Sequence, residues 1–410
     1  MNAKALVEHF FRHEYGRLVA ILSCRLGVEH LTEIEDAVQS ALMSALEHWT
    51  ISGVPDNPSA WLYRVSNNKL LGELRLLSRR KRLRERLAEE SQYSIAEEFV
   101  RDDEVEHDLL HMLFICCDED IPVESQLVFA LKTLCGFDVR EIALRLFTSE
   151  ANVYQRFSRA KSQLAKNHPR IDKFDNQRLR QRLESVQNIV YVLFTEGHLS
   201  SHLDRPLREE VCDEAIRLTR ILAKQSVGKS PTTSALLALM LLHRARMPSR
   251  KDGDGHLLLL EEQDRSYWDE QLIGEGISWL ANAAQGETLS RYHIEAAISA
   301  EHCLASNFAE TRWEKIASNY GLLERITNSP IHTLNRAVAV AEWKSPADAL
   351  EILTAFEPPS WLAGSYQWSA VMSDIYRRTG NVTEALRYRE LAIDSAPTQA
   401  IKDLIGRRLN

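Results

Sequence analysis

Cysteine is sparse in this sequence and never paired. The six residues, Cys24, Cys116, Cys117, Cys135, Cys212 and Cys303, show no C-x-x-C spacing, which excludes a disulfide framework or a zinc ribbon and predicts reduced structural thiols. Cys116 and Cys117 are adjacent, with His111 nearby, but neighbouring side chains diverge on a helix, so no metal or redox site is expected there. Long apolar runs are also missing: nothing approaches the ~18 residues of a membrane span. The opening MNAKALVEHFFRHEYGR lacks the apolar segment and cleavage site of a secretory signal. A cytoplasmic protein with no membrane contact is therefore expected. There is no G-x-x-x-x-G-K-[ST] loop, H-E-x-x-H or G-x-S-x-G, and Asp-Gly-Asp-Gly at 252–255 lacks the spaced ligands and closing glutamate of a calcium loop. No catalytic residue, metal or cofactor is expected.

What is present is segregated charge. The net charge of −8 argues against a uniformly basic nucleic-acid binder. Yet from Arg64 to Arg86 nine cations stand against Glu73 and Glu85 alone, and a second basic block runs from Arg140 to Arg182. Between them lies an acidic stretch from Glu89 to Asp120. Either block alone reads as a solvated face. In alternation they read as two modules able to neutralise phosphates, joined by a tether that DNA would repel.

Both modules have helical periodicity. In the first, Leu18, Ile21 and Leu22, then Ile34, Val38, Leu42 and Leu46, recur at helical spacing. Pro55 and Pro58 break the chain, after which Ser59 is expected to cap a helix beginning AWLYRVSNN. Asn57, Trp61, Tyr63, Arg64, Asn67, Asn68 and Arg75 bring aromatic planes, amides and cations together, the equipment for holding an unstacked single strand. The plainer alternative is that Trp61 and Tyr63 pack in a small core. In the second module, Glu141–Leu164 reads as two helices joined by a tight turn: Ile142, Ala143 and Leu146 on the first, Val153, Phe157, Ala160 and Leu164 on the second. Ser149 stands at the N-cap of the second helix. Asn152, Gln155, Arg156, Arg159 and Lys161 fall off the buried stripe, where amides and arginines can reach base edges and phosphates in a major groove. An ordinary helical hairpin with a basic face is the alternative.

EDAVQSALMSAL at 35–46, WLYRVSNN at 61–68 and the EIA to AKSQL helix pair, in this order, resemble the bacterial RNA polymerase sigma factors of the extracytoplasmic-function group. The resemblance implies that Asp36, Gln39 and Leu42 lie on the clamp helices of the polymerase β′ subunit. It implies that the loop around Asn57 and the helix through Arg75 engage the minus-ten element, with one base flipped. It also implies that the second helix of the later module reads the minus-thirty-five element near the β flap. Where members often carry an acidic residue one turn after the asparagine stands Gly72, and Ala151 replaces a frequent glycine.

More than half the chain lies beyond residue 175 and also reads as helical, for example at Val186, Ile189, Val190 and Leu193. ADALEIL at 347–353 recurs as TEALRYR at 383–389, thirty-six residues on, close to the ~34 of tetratricopeptide hairpins. With LFTEGH at 193–198, EEQDRSYWD at 261–269 and LNRAVAVAEW at 334–343, this resembles the extracytoplasmic-function group fused to a C-terminal tetratricopeptide-like domain, and implies control by that domain. Glu196, His198, Asp264 and Trp268 are candidates for a sensor pocket; a plain interhelical loop is the alternative.

The sequence thus predicts an all-α protein. Residues 1–86 form a promoter-melting module, 87–108 an acidic linker, 109–170 a helix-turn-helix module and 175–410 an α-solenoid-like regulatory domain that packs on the DNA-binding modules. The expected partners are core RNA polymerase and promoter DNA. Two rivals remain: a helix-turn-helix regulator that never joins polymerase, and a tetratricopeptide scaffold without DNA dependence.

Overall fold

The computed structural model describes residues 3–84, 102–146, 148–167, 176–198 and 207–408. Among the described residues all regular structure is helical, and the backbone bridge between Lys251 and Leu257 stands alone. The all-α expectation holds. The chain divides into two compact units, Met1–Leu193 and Phe194–Asn410. Of the acidic linker, residues 87–101 lie outside the described residues; from Asp102 onward it is helical.

The first unit opens with α1 (Ala3–Leu26), α2 (Leu31–Ser52) and α3 (Pro58–Arg84). Gly27, at φ 99°, makes the turn after α1 in a region that other residues avoid. Leu18, Ile21 and Leu22 of α1, Ile34 and Val38 of α2, and Leu62 and Leu70 of α3 are fully buried. The apolar stripe expected on α2 fails in its second half: Leu42 is only half-buried and Leu46 is 51% exposed. Ala41 and Ala45 take the inner face instead, because small residues let α3 lie close where leucines would hold it off. Lys69 of α3 donates to the Ser44 hydroxyl (3.1 Å) and the Ser40 carbonyl (3.2 Å), which fixes the pair.

The start of α3 also differs from expectation. Asn57 Oδ1, not Ser59, accepts from the Ala60 amide (2.9 Å), while Ser59 Oγ donates to Glu14 (2.9 Å). Pro58 occupies the first helical position, where its missing N–H costs nothing, so the cap moves to the residue before it.

The same unit continues with α4 (Asp102–Cys116), α5 (Val123–Thr133), α6 (Val139–Arg145) and α7 (Glu150–Asn167). Asp138 and Glu141 form a reciprocal capping box on α6. Val153, Phe157, Ala160 and Leu164 are buried, as the α7 periodicity predicts, and Phe157 stacks on Phe129 of α5 with centroids 5.5 Å apart. Helix α1 serves both helical groups. A Cβ on Gly16 would stand 1.9 Å from the Leu134 carbonyl oxygen, so only glycine permits this approach. Arg12 pairs with Glu141 (3.2 Å) and lies over the Phe137 ring, and Cys24 Sγ donates to the Asp108 carbonyl (3.6 Å).

Helix α8 (Asn176–His198) carries the division between the units; in the first, its Arg182 binds Asp118 (2.8 Å) and the Phe114 carbonyl (3.1 Å). The second unit runs on through α9 (Glu209–Lys224), α10 (Pro231–Ala245), α11 (Glu270–Ala283), α12 (Arg291–Leu304), α13 (Trp313–Thr327), α14 (Pro330–Trp343), α15 (Pro346–Ala355), α16 (Ser360–Ala363), α17 (Tyr366–Arg378), α18 (Val382–Ser395) and α19 (Gln399–Arg408). Three of these begin with Ser-Pro, at 230–231, 329–330 and 345–346. Proline presets the first helical φ, and the Ser230 and Ser345 hydroxyls accept from the Thr233 and Asp348 amides.

Helices α13, α14 and α15 pack in succession, α15 skips the short α16 to pack on α17, and α17, α18 and α19 again pack in succession. The two similar segments noted in the sequence fall on α15 and α18, where Ala349, Ala385 and Ala392 are buried. Gly380, at φ 83°, turns α17 into α18, and Tyr376 stacks on Tyr388 across that hairpin.

Candidate nucleic-acid interface

Three surfaces of the first unit carry the predicted residues. On α2, Asp36 and Gln39 are exposed and Leu42 is half-buried beside them. The outward face continues through Met43 (64% exposed) and Leu46, one and two turns on. These two apolar side chains were missed as surface residues because periodicity alone assigned the leucine to the core. Amide, carboxylate and apolar groups in one line suit docking against another helix.

On α3, Arg64, Asn68 and Arg75 are exposed and recur at i, i+4 and i+11, hence on one side. Gly72 falls in the same line, and nothing lies within 4 Å of where its Cβ would be. A glycine there removes bulk between two cations and lets another backbone approach; the spacing from Asn68 was the available signal. Asn67 is half-buried, and its Oδ1 has no protein partner. Asn57 is exposed but its side chain is engaged as the cap. The side chains of Arg79 to Arg86 lie outside the described residues.

The two aromatic residues behave differently from solvent-facing platforms. Trp61 is half-buried and meets Trp49 edge-on (5.6 Å), which in turn stacks on Phe11 (6.1 Å). Tyr63 accepts from Arg25 (2.9 Å), whose guanidinium sits 5.6 Å from the ring. Both open-strand capture and core packing were legible in the sequence. The geometry gives Trp61 a share in a small aromatic cluster with one side still open, and ties Tyr63 to α1.

On α7, Ser149 Oγ accepts from the Asn152 amide (3.2 Å), the expected cap. Asn152 turns its own amide back to Thr148 (2.7 Å). Gln155 and Arg159 are exposed, Arg156 is half-buried, and Tyr154 (58% exposed) and Ser158 share their outer face. Tyr154 was missed because an aromatic residue next to the stripe reads as core. Lys161 points elsewhere: its ammonium lies 2.8 Å from Glu35 of α2 and 5.7 Å from the centre of the Phe157 ring. Glu35 also accepts from Tyr15 (3.2 Å), whose phenol burial and this carboxylate hold well above the ordinary range.

The four residues grouped as a sensor pocket in the second unit do not converge. Glu196 is buried against Arg208 (3.9 Å), while Asp264 is exposed and caps the Ser266 amide (2.9 Å). A carboxylate with a local amide donor has no need to turn inward. His198 and Trp268 instead meet arginines, Arg250 and Arg265 respectively. Among the described residues, Asp252, Asp254 and His256 bring ligand atoms together, but Asp252 already accepts from the Asp254 and His256 amides.

Residues 10–80 match the family model for sigma-70 region 2, and residues 182–284 match a family of unknown function, DUF6596. An uncharacterized protein of Rhizobium meliloti, R00370, is 34% identical over 355 residues, covering 86% of this chain and 83% of that protein. No solved structure matches the chain. Residues 10–80 contain the α2 and α3 surfaces whole.

Proposed function

Because the chain belongs to the sigma-70 family, whose region 2 binds core RNA polymerase and promoter DNA, we propose that it is an extracytoplasmic-function sigma factor acting in the cytoplasm without chemistry of its own. The carrying observation is that one helical pair presents two separate faces: Asp36, Gln39 and Met43 on α2, and Arg64, Asn68, Gly72 and Arg75 on α3. The first suits the polymerase clamp helices, and the second a separated strand. Capturing an opened strand must supply the few kcal/mol of base unstacking, and contacts of about 1–3 kcal/mol each on rings and cations can do so. Helix α7, with Tyr154, Gln155, Ser158 and Arg159 outward, is the duplex reader, placed against the minus-thirty-five element and near the β flap.

The second unit, a tetratricopeptide-like array, regulates this activity by contact with the DNA-binding helices. Truncation after Leu193 tests that part, since it keeps the Arg182–Asp118 pair of the first unit. Unchanged promoter output in basal and induced cells refutes it. The main reading is tested by copurification with core polymerase followed by run-off transcription. A helix-turn-helix regulator would instead footprint duplex DNA alone and leave polymerase unbound.

A further inference from the structure

The second unit holds a basic cluster with no carboxylate partner among the described residues. Arg246 closes α10, Arg250 follows it, and Arg265 lies in the loop before α11. Trp268 is flanked by two of them: the Arg265 guanidinium carbon is 4.6 Å from its ring and that of Arg246 is 5.6 Å away. Three histidines complete the group. His198 and His243 meet edge to face at 4.4 Å, and the carbonyl of His302 accepts from Arg265 (2.8 Å). Arg250 donates to the His198 carbonyl (2.7 Å). Among the described residues, no carboxylate forms an ion pair with Arg246, Arg250 or Arg265. Nearby Cys303 is no substitute, because burial holds its thiol above the ordinary range despite the two arginines beside it.

Several donors of this cluster are buried and idle. Nε and Nη1 of Arg246, Nη2 of Arg265, Nδ1 of His243 and Nδ1 of His302 have no protein partner. Unpaired buried guanidinium groups are costly, and a buried cation persists where something neutralises it. Burial lowers Arg250 to about 10, with Arg246 adding to the shift. His302 and Tyr320 also line a cavity of about 450 Å³, within the size range of small-molecule sites. Its wall includes the Phe308 and Trp313 rings, Glu261 and Glu342, and Arg377, Arg378 and Arg408, which gather on Asp374 at 2.7, 3.7 and 3.4 Å; the arginine cluster does not line it but adjoins it through His302, whose carbonyl accepts from Arg265 (2.8 Å).

We propose that this cluster and the cavity beside it form a binding site for a small organic anion bearing a phosphate or carboxylate group. Arg246 and Arg265 hold the oxyanion, since a planar guanidinium matches either group with two parallel hydrogen bonds. The aromatic wall takes the remainder of the molecule. This site differs from the pocket read from the sequence: the cluster that holds the oxyanion is cationic, and neither Glu196 nor Asp264 belongs to it. It does not depend on the promoter-directing role.

The test is a thermal-melting titration of the full chain with sodium pyrophosphate, sodium citrate and, at equal ionic strength, sodium chloride. The expected result is a saturable rise in the melting midpoint with pyrophosphate, citrate or both, absent with chloride. Saturation by one alone identifies phosphate or carboxylate as the preferred group. Arg246→Met and Arg265→Gln weaken the apparent affinity at least tenfold. The pair Arg64→Ala and Arg75→Ala, on the DNA face, leaves it unchanged. Should Arg246→Met lose its circular-dichroism spectrum, the half-exposed Arg265→Gln carries the comparison. Three salts with one common ionic-strength curve overturn the proposal. So does a saturable effect that survives Arg265→Gln or vanishes with the Arg64 and Arg75 substitutions.

Discussion

Gly16 and Gly72 are both glycines within long helices, and replacing each by alanine should move stability in opposite directions. In an open helix interior the substitution gains about 1 kcal/mol, because alanine loses less backbone entropy on folding. Gly72 meets that condition: it is exposed and has nothing within 4 Å of its missing Cβ. Gly16 does not. Its Cβ would stand 1.9 Å from the Leu134 carbonyl oxygen and 2.8 Å from the carbonyl carbon, and these are backbone atoms that cannot swing aside. Overpacking of this kind costs about 1–3 kcal/mol, and a backbone clash belongs at the upper end. Subtracting the gain leaves Gly16→Ala destabilising by about 2 kcal/mol. Hydrogen exchange read peptide by peptide is the suitable assay, since one unfolding energy is ill-defined for a two-unit chain. Exchange should accelerate about thirtyfold in peptides spanning Glu14–Leu22 and Leu131–Phe137, and slow several-fold around Gly72 in the other variant. Equal stabilisation by both substitutions refutes the α1 contact with Leu134.

Arg64→Ala and Arg75→Ala, both on exposed side chains, should each weaken promoter-complex formation by roughly tenfold and reduce the salt dependence by about one phosphate contact, with thermal melting unchanged; filter binding of polymerase complexes at several salt concentrations decides it. Asn57→Ala removes the α3 cap and should cost about 1 kcal/mol, seen as faster exchange of the Ala60 and Trp61 amides; unaltered protection contradicts the capping role. Lys161→Met leaves Glu35 with the Tyr15 hydroxyl as its donor among the described residues and should destabilise the first unit by about 1–3 kcal/mol, while Lys161→Arg retains most of the pair's contribution; equal urea midpoints for the two variants rule out the pair. His302 is 9% exposed and lowered to about 3, first by burial and then by Arg246 and Arg265. The unfolded chain therefore binds the extra proton, so the stability is complete above about pH 6.5 and drains as pH falls toward the folded value, by about 1.4 kcal/mol at pH 5.5. Calorimetry at pH 7.5 and 5.5 checks this: His302→Gln should remove that share and leave the part due to His198 and His243, which burial also holds below the ordinary range.

Helix type was legible throughout, because a 3.6-residue apolar period is local: Val153, Phe157, Ala160 and Leu164 are buried as their spacing demands. The errors arose where a partner decides the outcome. Leu46 is exposed because alanines, not leucines, let α3 approach α2, and a one-dimensional pattern carries no information on interhelical distance. The cap of α3 moved one residue before Pro58 because the Ser59 hydroxyl found Glu14, forty-five positions away. Likewise Lys161 sits off the buried stripe of α7, as read, but nothing local announces a carboxylate on α2. The arginine and histidine cluster of the second unit was invisible for the same reason: its members come from four separate stretches of chain.

Helix α1 is a shared axle for the first unit. Along one edge it supplies Leu18, Ile21 and Leu22 to the three-helix core, and along another it offers Gly16, Arg12 and Cys24 to the helices after Asp108. Grafting the later helices from a relative therefore succeeds only when the donor accepts a bare backbone groove opposite Leu134 and an acid opposite Arg12. The modules of this protein fit as a matched set, and chimaeras joined in the tether will inherit the mismatch of the hub rather than of the joint.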